Sequence, residues 1–227
     1  MRAGLFALLL VSLSAAATTP DVAFQPHPGA AVSGDARFRE ARLGDYYGQA
    51  PLVLVLGYVG CVNLCGTTLN GVDEALRETG LVAERDYRAL FVSIDPRDES
   101  APAERRPGWH FLTGAAAAAR VAQTIGFRYQ FDAHTGQFAH PAGFVVLTPQ
   151  GRVARYFEGV RFDAKALRAT LEESGKGKTS DALDPLLLVC FHDPLNARNT
   201  PAVMVGVRVA SGLLLAGFAL FAWRRLR

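Results

Sequence analysis

Short, uniformly apolar runs alternate along this chain with segments of helical period, and that alternation predicts a layered α/β domain. Pro51-Leu-Val-Leu-Val-Leu-Gly57 is apolar throughout, as expected of a strand buried on both faces. Thr67 to Glu78 carries Leu69, Val72 and Leu76 at helical spacing, with Gly80 just past the end to stop the helix. Tyr87 to Ile94 is a second apolar strand, ended by Asp95-Pro96. Residues 96–108 are polar and Pro-rich and read as a loop. Ala115 to Ile125 is Ala-rich and reads as a helix. Ala142–Leu147 and Arg152–Phe157 flank Thr148-Pro-Gln-Gly151, a hairpin signal, and Phe162–Ser174 reads as a final helix.

The resulting order is strand, cysteine pair, helix, strand, helix, hairpin, helix, which describes a thioredoxin-like arrangement over residues 35–175. Residues 18–34, rich in Pro, Ala and Gly, read as a flexible lead-in. The ends add to this picture. Arg2, the apolar run Leu5–Leu13 and Ser14-Ala-Ala-Ala17 have the pattern of a signal peptide over 1–17, with a buried N-terminal helix as the alternative. Residues 176–200 read as a linker that contains Cys190 and His192. Val209 to Trp223 is uncharged but as a helix rises only ~22 Å, short of a hydrocarbon core of ~30 Å. Extended back to Pro201 it is long enough, with Arg208 snorkelling at the outer end. A transmembrane helix over 201–223 is therefore expected, against the alternative of an amphipathic or core-buried helix. Arg224, Arg225 and Arg227 in the tail 224–227 favour a cytoplasmic C-terminus. The expected fold class is thus thioredoxin-like α/β with a C-terminal transmembrane helix. The expected location is the cytoplasmic membrane, with the domain facing the periplasm.

Composition narrows the function. Half of the 227 residues are hydrophobic, enough for a core, and a net charge of +3 gives no basic surface for nucleic acid. Three cysteines are too few for a disulfide scaffold, and the spacing Cys61-Val-Asn-Leu-Cys65 points to redox or metal chemistry. If the second half of this CxxxC opens a helix, positions i and i+4 share a face and the helix start favours a thiolate. Two such thiolates form a soft site that prefers Cu(I), or Zn(II) with further ligands, and they could equally close a disulfide. His140, in Phe138-Ala-His-Pro-Ala-Gly143 just before a core strand, is the candidate third ligand; a loop histidine capping a turn is the alternative. His27, His110 and His134 have weaker claims.

Four segments carry a specific resemblance. Gly57-Tyr-Val-Gly-Cys-Val-Asn-Leu-Cys-Gly-Thr-Thr-Leu-Asn70, Val92-Ser-Ile-Asp-Pro96, Trp109-His-Phe-Leu-Thr-Gly114, and Gln137–Gly143 with Val146–Gly151 are similar, in order, to motifs of the Sco/SenC family. The resemblance spans about residues 38–175. It implies a thioredoxin fold, copper held by Cys61, Cys65 and His140, and a role in maturing the copper centre of cytochrome c oxidase. Asp95 resembles the family's acidic residue near the site, or is simply the turn residue before Pro96. Departures exist: Val62 and Gly66 stand where family members often carry prolines, and the stretch between Pro96 and Trp109 is shorter. Cys190 and His192 resemble part of a C-terminal extension of some membrane-anchored relatives and form a candidate second site; a partly buried juxtamembrane cysteine is the alternative. The implied function is a copper metallochaperone rather than an enzyme. Its implied partners are copper ions, the copper-bearing oxidase subunit and a periplasmic thiol reductant. The alternative is a thiol–disulfide reductase that keeps the oxidase cysteines reduced, using Cys61 and Cys65 as a redox disulfide. A peroxidase reading is weaker, because the Pro-x-x-x-Thr-x-x-Cys loop is absent, and a redox or copper sensor is a further reading.

Overall fold

The computed structural model describes residues 22–60, 65–99, 106–179, 208–214 and 222–225, with Cys65 described by its backbone alone. The chain divides into two units, 1–181 and 182–227.

The first unit is built on a five-stranded sheet. β1 (Leu52–Gly57) is buried at every position. Its odd and even residues serve different layers: Leu52, Leu54 and Leu56 enter one core cluster, and Val53 and Val55 the other. That division explains an uninterrupted apolar run, since alternate side chains of a strand point to opposite faces. α1 (Cys65–Thr79) crosses from β1 to β2 (Arg88–Ser93), which lies parallel to β1 with Leu52 opposite Arg88 and Gly57 opposite Ser93. α1 ends at Gly80, whose φ of 70° is a left-handed conformation that costs glycine little.

β3 (Trp109–Leu112) extends the parallel part of the sheet, and α2 (Ala115–Thr124) follows it. β4 (Gln130–Asp132) and β5 (Gln137–Ala139) form a separate antiparallel pair. β6 (Gly143–Leu147) lies antiparallel to β1, and β7 (Val153–Glu158) antiparallel to β6. α3 (Ala164–Gly175) closes the unit, capped by Asp163, whose carboxylate accepts from the Lys165 and Ala166 backbone amides. The strand order is β3-β2-β1-β6-β7. α1 and α3 pack in one layer with Val53, Val55, Phe91 and Phe144. α2 packs in the other with Leu54, Leu90 and Val145. This is the mixed α/β, thioredoxin-like arrangement that the element order predicts.

Three expectations are corrected. Residues 22–34 are not a flexible lead-in: Phe24 and Val32 are buried in the core. The Gln25 amide donates to the Gly126 carbonyl (2.7 Å) and the Val32 amide to the Gly151 carbonyl (2.8 Å). β3 (Trp109–Leu112) stands between the loop 96–108 and α2, where the expected element order has no strand. The β4–β5 pair also stands where the sequence indicates only a turn. Among the described residues no helix is long and apolar enough to cross a membrane. Within the second unit, residues 208–214 and 222–225 are helical; the rest of the expected span 201–223, the signal segment 1–17, and Cys190 and His192 lie outside the described residues.

Candidate metal centre

Antiparallel pairing places the start of β6 beside the end of β1, so the loop carrying His140 and the loop leading to Cys61 lie at one end of the sheet. Gly143 sets the turn into β6. Its φ is 139°, and a Cβ there would run into the Phe157 carbonyl. Tyr58, just past β1, is buried, and its ring meets the His140 ring edge-on at 5.8 Å and the Phe138 ring at 5.8 Å. Phe127 covers His140 from another side, with ring centroids 5.8 Å apart.

His140 is partly buried, and its Nδ1 lies 3.0 Å from the Pro141 carbonyl oxygen. A carbonyl only accepts, so Nδ1 carries the proton and Nε2 carries the lone pair. Burial also pushes the His140 pKa down, against a weaker opposing effect of the Pro141 hydrogen bond. Nδ1 is thus taken up by the backbone, and burial disfavours the charged imidazolium.

Cys65 is the first residue of α1, where the unpaired amides of a helix start favour a thiolate. Cys61 and the Cys65 side chain lie outside the described residues. Among the described residues no three His, Cys, Asp or Glu side chains converge on one point.

The loop entering the cysteine segment is anchored from β2. The Val59 amide donates to Asp98 Oδ2 (2.8 Å), and Ser93 Oγ donates to the same oxygen (2.6 Å). Asp95 has a different role from an open ligand. Its carboxylate is buried and accepts from Arg97 Nε (2.8 Å to Oδ1, 2.9 Å to Oδ2) and Arg97 Nη2 (2.6 Å). Hydrogen bonds from Arg97 hold its carboxyl below the usual range. Arg97 also donates to the Gly136 carbonyl (2.9 Å) and lies over the Phe131 ring, tying the end of β2 to the β4–β5 turn.

The weaker histidines stand apart from His140. His110 Nε2 pairs with Glu84 (2.7 Å), His134 sits in the β4–β5 turn, and His27 Nδ1 meets the Thr124 carbonyl (3.1 Å). Tyr58, Arg97 and Asp98 were missed from the sequence. Only Asp98 left a signal, as the second acid of Asp95-Pro-Arg-Asp98.

No curated protein matches the chain. A crystal structure of a proposed electron transfer protein from Aquifex aeolicus VF5 is similar in fold. It shares 18% identity and a TM-score of 0.57, over 68% of this chain and 97% of that one. The copper-bound structure of ScoI from Bradyrhizobium japonicum shares 26% identity and a TM-score of 0.46, over 56% and 86% of the two chains. BsSco, a member of the Sco family of cytochrome c oxidase assembly proteins, shares 15% identity and a TM-score of 0.49, over 68% and 94%. The SCO1/SenC family model matches residues 39–174. The chain therefore belongs to the SCO1/SenC family.

Proposed function

We propose that this chain is a copper metallochaperone for assembly of cytochrome c oxidase, taking copper as cargo on Cys61, Cys65 and His140. The observation that carries the reading is the place of His140: its Nδ1 faces the Pro141 carbonyl oxygen (3.0 Å) and its ring packs on Tyr58, just past the strand that leads toward the cysteine pair. Two thiolates and one imidazole form a soft donor set suited to Cu(I). Family membership supports copper as the metal, since ScoI of the same family holds it. A helix start and an adjoining loop suit release by ligand exchange to the copper-bearing oxidase subunit. Asp95, tied to Arg97, shapes the site rather than ligating.

A second reading is favoured by the place of Cys65 at the start of α1, which also suits a thiol–disulfide reductase. Both readings need a periplasmic reductant, because an oxidising compartment closes Cys61 and Cys65 into a disulfide. The apolar run Leu5–Leu13 and the segment 201–223 followed by Arg224 and Arg225 support a chain held at the cytoplasmic membrane, domain outward.

Deletion tests the role. Oxidase activity at limiting copper should fall, and added copper should partly restore it. Rescue by an external thiol and not by copper would replace delivery with reduction.

A further inference from the structure

We propose that Phe24, in the lead-in, is a positioning residue for His140: its ring braces both Phe127, which packs on the imidazole, and Gly143, which closes the His140 loop. Phe24 is far from His140 in sequence, and no apolar pattern links the two. In the fold its buried ring meets the Phe127 ring edge-on, with centroids 5.4 Å apart. Phe127 in turn lies 5.8 Å from the His140 ring, tilted by 30°. Phe24 Cε2 also lies 3.1 Å from the point where a Cβ on Gly143 would stand, so the ring packs directly on that backbone. One side chain thus bears on a wall of the imidazole and on the turn that follows it.

The lead-in is fastened where it carries this ring. Phe24 and Phe127 form an antiparallel bridge, flanked by hydrogen bonds from the Gln25 amide to the Gly126 carbonyl (2.7 Å) and from the Arg128 amide to the Ala23 carbonyl (3.1 Å). Gly126 permits the approach: its φ is 65°, and a Cβ there would collide with the Gln25 carbonyl oxygen. A second clamp follows. The His27 amide donates to the Tyr156 hydroxyl (2.9 Å), which itself donates to the Ile125 carbonyl (3.0 Å). The Tyr156 ring also packs edge-on against Phe24, at 5.5 Å. In a close-packed interior, removing a ring takes partner atoms from its neighbours and lets them reach other rotamers. For Phe24 those neighbours are Phe127 and the Gly143 turn, and His140 lies against the one and just ahead of the other.

Phe24 bears on copper only through His140 as the proposed ligand, so the ring is best probed without metal. Diethyl pyrocarbonate acylates an imidazole nitrogen at a rate that follows the accessibility of the ring, and peptide mass spectrometry reads that rate for each histidine. In the full-length, metal-free chain, Phe24→Ala should raise the His140 rate roughly fivefold, with the His110 and His134 rates unchanged. Phe24→Leu leaves a smaller void and should raise it roughly twofold, which keeps the test open should Phe24→Ala fail to fold. Phe38→Ala removes a ring from the same core beside Gly114 and should leave His140 at the wild-type rate. An unchanged His140 rate in the Phe24 variants would overturn the assignment. So would an equal rise in Phe38→Ala, or a parallel rise at His110 and His134, since either would mean general loosening of the fold. Protection of His140 by added Cu(I) in the wild type decides the ligand reading separately.

Discussion

The backbone carbonyl of Pro141 faces Nδ1 of His140 at 3.0 Å, and no inspection of residue types would reveal it. The cysteine pair was legible because its spacing is itself the signal. His140 by itself is legible only as one of two alternatives, because ligand and turn-capping histidines look alike in sequence; the family motif around it is the further signal. Asp95 shows the reverse: its type and place suggest a group near the metal, but Arg97 occupies its carboxylate. In the fold Asp95 titrates below its value in the unfolded chain, because Arg97 hydrogen-bonds its carboxylate. Its contribution to stability is therefore complete above the unfolded value and lost as pH falls through the folded one. Arg97 is more than half exposed, so solvent weakens the pair. Asp95→Asn should cost about 1–2 kcal/mol at neutral pH. It should also flatten the acid limb of stability, read by denaturant unfolding across pH. Wild-type and variant curves that run parallel into acid would contradict this.

The elements that the sequence revealed are those with a strong internal period. β1 and β2 are buried runs, and α1 and α3 carry apolar residues at helical spacing. β3 escaped because Trp109, His110 and Phe111 are only partly buried, so no apolar run marks it. β4 and β5 have three residues each, too few for an alternation to register. The lead-in was misread because its anchors, Phe24 and Val32, are single residues in a Pro- and Gly-rich stretch, and their burial depends on distant partners such as Phe127. The loop after β1 depends on Asp98, which joins it to β2. Asp98→Ala should free the Val59 amide, speed its hydrogen exchange at least tenfold and weaken copper binding severalfold, since loss of a hydrogen bond to a carboxylate costs ~1.5–3 kcal/mol. Unchanged exchange at Val59 would show that the loop is held by other contacts.

Across the whole molecule, sheet order decides which loops meet. Placing β6 against β1 brings the His140 loop beside the end of β1, the strand that leads toward the cysteine pair, although the two are far apart in sequence. The fold class followed from the element order, whereas this meeting point followed from strand pairing, which residue pattern alone does not specify. Cys190, His192 and most of the expected span 201–223 lie outside the described residues. The proposed anchor predicts that full-length chain sediments with membranes, and that an impermeant thiol reagent labels Cys61 from the periplasmic side; recovery of the chain in the soluble fraction would refute it. The most direct measurement of the central reading is a Cu(I) titration of the purified, reduced chain against a competing chelator, using wild type, His140→Ala and the double variant Cys61→Ala, Cys65→Ala. One copper per wild-type chain, weaker binding in His140→Ala and loss of binding in the double variant are expected, whereas undiminished binding by the double variant would contradict it.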